Sequence, residues 1–310
     1  MRILVTGGAG FIGSHAVDAL VGAGHKVAVL DDLSTGRKVN LNPRARFVRG
    51  RVQDPAAEKL VSRFRPDAIY HFAAQNDVRL SVLDPLADAE TNVIGLLRLV
   101  RAALKINLKR FIFASTGGAI YGSPKKLPTP EDYPTHPLSP YGVAKLSSEH
   151  YLHAYRHSGG FPSIVLRLAN IYGPRQSPEA ECGVAAIFTK KMLADERPII
   201  FGDGRQTRDY LYIADAVRAF LLALKTKQLG TYNIGTGLET DVNSLFRRLT
   251  ALTGFAGKPI FAPARPGEER RSSLDTKRAK KFLNWQPRVT LEQGLAKTVV
   301  WQRAVLESRK

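Results

Sequence analysis

The chain has 310 residues, 44% of them apolar, with 46 Lys and Arg against 27 Asp and Glu and one cysteine. That length supports a well-buried core, one large domain with a smaller one attached, and the lone Cys182 excludes an internal disulfide framework. No apolar run reaches the ~18 residues of a membrane span, and the formal charge of +19 attracts anions generally without choosing among nucleotides, nucleic acid and anionic surfaces.

The N-terminus reads as a strand running into a glycine turn, not as a signal peptide, and with the cysteine usage this leads us to expect a cytoplasmic protein. Short apolar strands are predicted at Arg2 to Thr6, Lys26 to Asp31, Ala45 to Gly50, Ala68 to Phe72, Arg110 to Ser115 and Ser163 to Leu168. Helices fit between them at Phe11 to Ala23, Ala56 to Phe64, Pro85 to Ile106 and Tyr141 to His157. This alternation predicts an α/β fold, a doubly wound parallel sheet of the Rossmann type covered on both faces. From about Ile171 prolines at 174, 178, 198, 259, 263, 266 and 287 break the chain into shorter elements. We therefore expect a dinucleotide-binding domain over residues 1–170 and a smaller, loop-rich α/β substrate domain over 171–310. A helix near Ala214 to Leu224 and a strand near Thr231 to Ile234 are expected to return about 210–235 to the first domain. The Lys and Arg residues are spread along the chain and densest at Arg265 to Lys281, without aromatic interleaving, so the charge reads as a basic surface and nucleic acid is not the expected partner.

Directly after the first strand, Gly7, Gly10 and Gly13 have the spacing G-x-x-G-x-x-G. Such glycines permit the turn, let a pyrophosphate approach the backbone, and let the following helix lie close to the sheet. The helix N-terminus then offers N–H groups and a partial positive charge to phosphate. Asp31, at the end of the next strand, can accept hydrogen bonds from an adenosine ribose and repel a 2′-phosphate, which favours NAD over NADP; Arg37 and Lys38 argue the other way. Asp32 could share that role or cap a turn.

Tyr141 and Lys145 lie four residues apart on one face of a helix entered through Ser139 and Pro140. A tyrosine with an ordinary pKa of about 10 is a poor base at neutral pH, and a nearby ammonium favours its phenolate. The strand at Arg110 ends in Ser115 and Thr116, where ligands of a doubly wound sheet bind.

With these residues in place, the sequence resembles the extended short-chain dehydrogenase/reductase superfamily, and within it the NAD-dependent epimerase/dehydratase family, most of all its UDP-glucose 4-epimerases. The likeness spans nearly the whole chain. It is carried by His71-Phe72-Ala73-Ala74 with Val78, Ser81 and Pro85, by Asn92 opening N-x-x-G, and by Phe113 to Gly122. Further on it is carried by Arg167 to Arg175 as R-x-x-N-x-Y-G-P-R, and by Gly202-Asp203-Gly204, Thr207 to Tyr210 and Arg265 to Glu268. The resemblance implies Thr116, Tyr141 and Lys145 as the catalytic set. It implies a cofactor site of Gly7, Gly10, Phe11, Ile12, Gly13, Asp31, Asp32, Ser34, Thr35, Gly36, Val52, Phe72, Ala73, Ala74, Gln75, Asn92 and Ser115, completed by Tyr141 and Lys145. For the UDP-sugar it implies Val78, Thr116, Tyr141, Asn170, Val184, Ile200, Phe201, Arg208, Arg265, Glu268 and Ser272. A homodimer formed through the helices at Pro85 and Tyr141 is also implied, and no metal. Independently of the likeness, arginines such as Arg208 and Arg265 can pair bidentately with phosphate oxygens.

Two departures stand out. Relatives commonly carry Asp after the third strand to bind adenine, where this chain has Gly50-Arg51-Val52, and Asp54 is a doubtful substitute. Sugar 4,6-dehydratases follow the catalytic threonine with an Asp-Glu pair, where this chain has Gly117 and Gly118. The expected activity is therefore NAD-dependent 4-epimerisation of UDP-glucose and UDP-galactose through a 4-keto sugar, and the small Ser272 extends the expectation to N-acetyl sugars. The alternatives are another enzyme of the family (a UDP-glucuronate 4-epimerase, a 4,6-dehydratase or a keto-sugar reductase) or a non-catalytic, NAD-sensing protein that binds nucleic acid.

Overall fold

A computed structural model describes residues 1–178, 183–264 and 269–308 of the chain. The first half alternates β1 (Arg2–Thr6), α1 (Phe11–Gly22), β2 (Lys26–Asp31), β3 (Arg46–Arg49), α2 (Pro55–Phe64) and β4 (Ala68–His71). There follow α3 (Val78–Leu83), α4 (Pro85–Ala89), a π-helical turn (Glu90–Ile94), α5 (Gly95–Ala103), β5 (Arg110–Thr116), α6 (Pro140–Gly159) and β6 (Ser163–Leu168). The second half contains β7 (Asn170–Tyr172), α7 (Val184–Leu193), β8 (Ile199–Phe201), β9 (Thr207–Arg208), β10 (Tyr210–Tyr212), α8 (Ile213–Lys225) and β11 (Gly230–Ile234). It closes with β12 (Thr240–Asp241), α9 (Val242–Thr253), β13 (Ile260–Ala262), α10 (Lys277–Leu283) and α11 (Leu291–Glu307).

Seven strands form one parallel sheet in the order β11-β6-β5-β4-β1-β2-β3. The sheet is doubly wound because alternate residues of each strand bury against opposite layers. Ile3, Val5, Val27 and Val29 pack with Val17, Leu20, Ala216 and Phe220 of α1 and α8. Leu4, Ala28, Leu30 and Phe111 pack with Leu60, Leu99, Val100 and Leu152 of α2, α5 and α6. The order reverses between β1 and β4, which opens a crevice at the carboxyl ends of the strands. A separate apolar cluster, with Phe188, Leu245, Leu249, Leu295 and Val299 from α7, α9 and α11, sits behind β7 and β10.

The helix predicted over Pro85 to Ile106 is three pieces. Pro85 starts α4 under an Asp84 cap, the Asp84 carboxylate accepting from Ala87 N at 3.0 Å. The π turn then widens the coil around the buried Asn92. Asn92 donates through Nδ2 to Gln75 O at 2.9 Å and Asp88 Oδ1 at 3.0 Å, while its own carbonyl accepts from Ser148 Oγ at 2.9 Å. The bonds to Gln75 and Ser148 reach outside the helix, so hydrophobic periodicity carries no sign of them. Among the described residues no helix is long and apolar enough to cross a membrane, and no group of three His, Cys, Asp or Glu side chains could hold a metal.

Candidate active site

The glycine turn is built by exclusion of side chains. Gly7 has φ +70°, and a Cβ there would lie 2.6 Å from Ala73 N; a Cβ at Gly13 would lie 2.1 Å from Gly7 O. The turn, the start of α1 and the segment after β4 therefore touch backbone to backbone. Helix α1 begins at Gly10 with no side-chain cap, so the N–H groups of its first turn are presented to the crevice. Gly7, Gly10, Phe11, Ile12 and Gly13 all line one cleft, with Asp31, Asp32, Ser34, Thr35, Val52, Phe72, Ala73, Ala74, Ser115, Tyr141 and Lys145.

Asp31 is buried at the end of β2, where Oδ2 accepts from Ala9 N and Oδ1 from Leu33 N, both at 2.9 Å. Burial pushes its carboxyl above the ordinary range, and the two amides oppose this. Each oxygen keeps a lone pair for a ribose hydroxyl. Asp32 caps the next turn, accepting from Ser34 N at 2.9 Å and Ser34 Oγ at 2.6 Å, and pairs with Arg51 Nε at 3.6 Å.

Three residues expected at the cofactor stand behind the cleft wall. Gly36 lies against Asp31, since a Cβ there would sit 2.7 Å from Asp31 Oδ1. Gln75 donates to Asp77 O at 2.9 Å and Asp88 Oδ1 at 3.0 Å, and Asn92 is turned to the same carboxylate. Sequence reasoning left out Leu30, Gln53, Asn76 and Thr91, which also line the cleft; the strand end at Leu30 offered a signal, whereas Gln53 and Asn76 in loops and Thr91 in the π turn offered none.

Beyond the cofactor cleft, β5 and α6 meet. Ser139 caps α6 by accepting from Gly142 N at 3.2 Å, and Pro140 begins the helix. One turn then carries Tyr141 and Lys145 to the carboxyl end of β5. Lys145 is buried, donates from Nζ to Ala114 O at 3.1 Å, and places Nζ 4.8 Å from the centre of the Phe113 ring and 5.9 Å from that of Tyr141. Burial pulls the ammonium down to about 8, against the raising fields of Asp88 and Glu149. His71 has no opening to the cleft: it is buried, neutral, held down to about 3 by burial and by the Lys145 charge, and its Nδ1 lies 2.7 Å from Thr6 Oγ1.

Thr116 and Asn170 converge on Gly118, where an added Cβ would lie 4.0 Å from Thr116 Oγ1 and 3.6 Å from Asn170 Oδ1. Ser115, though in the cleft wall, gives its hydroxyl proton to Glu149 Oε1. That carboxylate also receives Arg167, through Nε at 3.1 and 3.0 Å and through Nη2 at 2.7 Å, and Arg167 Nη1 donates to Tyr121 Oη at 2.7 Å. This buried network was missed from sequence. Its one signal was Glu149 four residues beyond Lys145, one more turn along the same helical face.

Of the residues expected at the sugar nucleotide, Arg265 and Glu268 lie outside the described residues, as does Cys182. Val78 opens α3 and is exposed, whereas Val184 opens α7 half-buried against the cluster behind β7 and β10. Ile200 buries its side chain in the cluster behind β10, and Phe201 is half-buried. Arg208 donates from Nη1 to the carbonyls of Thr207 and Glu269, both at 2.8 Å. Ser272 is buried, two residues before Leu274, whose side chain lies against Gly117. Asp209 locks that corner: it accepts from Thr236 N at 2.8 Å, Gly237 N at 2.9 Å and Leu274 N at 3.2 Å.

The sequence profile of the NAD dependent epimerase/dehydratase family matches residues 3–235. The UDP-glucose 4-epimerase of Mycolicibacterium smegmatis is 44% identical, over 98% of this chain and 99% of its own. A crystal structure of the Thermotoga maritima UDP-glucose 4-epimerase with UDP-glucose superposes with a TM-score of 0.97 at 49% identity, covering 99% of this chain and 100% of that one. The Thermus thermophilus UDP-glucose 4-epimerase in complex with NAD gives 0.93 at 40% identity, covering 98% and 99%. The glycine cradle, the carboxylate at the end of β2, and the threonine, tyrosine and lysine around β5 and α6 thus sit in a chain that belongs to the NAD dependent epimerase/dehydratase family.

Proposed function

We propose that this chain is an isomerase, an NAD-dependent 4-epimerase of UDP-glucose and UDP-galactose. The observation that carries it is the buried Lys145 ammonium one helical turn from Tyr141 at the end of β5, in a chain as similar to UDP-glucose 4-epimerases as this one. Residues 1–170, joined by about 210–235, form the cofactor domain of this reading, and 171–310 the sugar-nucleotide domain. The cleft fits NAD: side chains are excluded where a pyrophosphate would meet the backbone at Gly7 and Gly13, and Asp31 keeps acceptor capacity for a ribose. Asp31 would hold that ribose, Lys145 the nicotinamide ribose. NAD, when bound, supplies a hydride acceptor that also returns the hydride.

Tyr141, as phenolate, takes the proton from the sugar 4-hydroxyl and later gives it back. Lys145 makes the phenolate accessible by its charge. Thr116 Oγ1 steadies the reacting oxygen, Asn170 and Arg208 hold the diphosphate together with Arg265, and the 4-keto sugar turns about that link to present its other face. The pair Gly117 and Gly118 provides no acid or base for dehydration, which favours epimerisation over the dehydratase branch. We further read the exposed sides of α4, α5 and α6 as a homodimer surface.

The test incubates purified protein with UDP-galactose, UDP-N-acetylglucosamine and UDP-glucuronate separately, identifying products by NMR. UDP-galactose should equilibrate with UDP-glucose, and Tyr141→Phe should lose ~10²–10⁴-fold in rate. With a small residue at 272 the acetylated sugar should also turn over, and Ser272→Tyr should abolish that while sparing UDP-glucose. Unchanged turnover by Tyr141→Phe would remove the assigned base, and loss of water from the sugar would favour a dehydratase.

A further inference from the structure

Strand β3 is the outermost strand of the sheet, and Gly50, Arg51, Val52 and Gln53 after it form the wall of the cleft farthest from Tyr141. If the pyrophosphate lies on the start of α1 and a ribose at Asp31, the base of the dinucleotide falls at this wall. The inference below rests on that reading of the cleft. The carboxylates nearby are already engaged: both oxygens of Asp31 take backbone amides, Asp32 Oδ1 takes Ser34 twice, and Asp32 Oδ2 faces Arg51. The Arg51 side chain is held at its Nε edge by that pairing and remains 64% exposed. A guanidinium so placed has donors on its rim and two flat faces, and it has no acceptor.

We propose that Arg51 is the adenine-end determinant of this protein, its guanidinium stacking on the base, so that the 6-amino group of adenine goes largely unread. A carboxylate in this position would accept from that amino group and discriminate against a 6-oxo base. Arg51 cannot accept, and stacked on the face of the base it bonds neither an amine nor a carbonyl at that edge. The Asp32 carboxylate, 3.6 Å from Nε, draws the guanidinium toward this end of the cleft. The remaining side-chain acceptor in this wall is Gln53, whose Nε2 reaches Thr91 Oγ1 at 3.4 Å and whose Oε1 is the competing candidate for reading the amine.

The test is calorimetric titration of the nucleotide-free protein with NAD⁺ and with nicotinamide hypoxanthine dinucleotide, which carries a 6-oxo group in place of the amine. The two Kd values should agree within about threefold. Arg51→Ala should weaken both about equally, by ~2- to 30-fold, the range for a cation over an aromatic face. Arg51→Lys should behave like Arg51→Ala, because an ammonium keeps the charge and loses the plane. Arg51→Asp should restore a preference for NAD⁺ of tenfold or more. A wild-type preference for NAD⁺ above threefold, or Arg51→Ala binding both as well as wild type, would overturn the proposal. Failure to bind either dinucleotide would instead overturn the reading of the cleft as an NAD site.

Discussion

Lys145 is the residue whose environment most directly sets a pH dependence. Its ammonium is enclosed by Phe113, Tyr141 and a single carbonyl, and burial draws its pKa to about 8. The charge that favours the Tyr141 phenolate is therefore present below about 8 and lost as pH rises through it. We expect kcat to fall on the alkaline side with an apparent pKa near 8, and Lys145→Arg, whatever its absolute rate, to lack that limb because a guanidinium keeps its proton. A pH profile from 6 to 10 on both proteins, in steps of about half a unit, would show it; the same limb in the arginine variant would assign it elsewhere. The shift also bears on stability. An unfolded lysine titrates near ~10.4, so the folded state carries the cost of burying this charge below about 8 and sheds it as pH rises from there to ~10.4. Spacing puts Tyr141 and Lys145 on one helical face and Ser115 and Thr116 at a strand end, and it was the resemblance to the family that singled out Tyr141, Lys145 and Thr116 as a set. The state of Lys145 was not legible in the sequence, since Asp88 and the Phe113 ring come from other elements.

Among the elements, β5, α6 and β6 are tied by one carboxylate. Glu149 of α6 receives Ser115 from β5 and the fork of Arg167 from β6, all buried. Removing one partner of such a pair strands the other charge away from water, at a cost of ~3–5 kcal/mol. Glu149→Ala and Glu149→Gln should both lose stability of that order in urea unfolding, since each leaves Arg167 uncompensated; a benign Glu149→Gln would mean that hydrogen bonding, not charge, holds the three elements. The strands β1, β2 and β6 could be bounded from sequence alone because each is a short apolar run opening after or on a polar residue. The widening of the helix that starts at Pro85 could not, because Asn92 is held in the π turn by bonds to Gln75, Asp88 and Ser148 and by no change in apolar period. Likewise, the partnership of Ser115 with Glu149 and Arg167 spans three elements that no local pattern connects.

At the scale of the molecule, part of the exposed apolar surface falls on the adjoining helices α3, α4 and α6. Leu83 and Leu86 of α3 and α4, and Val143 and Tyr151 of α6, all stand in solvent, and α4 packs beside α6. The proposed dimer would bury this face against a second copy and remove its apolar surface from water. Sedimentation equilibrium should give twice the 34.1 kDa chain mass, and Val143→Glu should return it to one; a monomeric wild type would remove the dimer. Strand β11 closes the edge of the main sheet beside β6, yet it follows β6 by some sixty residues, all of α7, α8 and the short pairs between them. While the chain is being synthesised, the fully buried β6 is for that interval a bare edge with unpaired N–H and C=O groups. A fragment ending near Asn170 would keep that open edge permanently and offer it to strands of other chains.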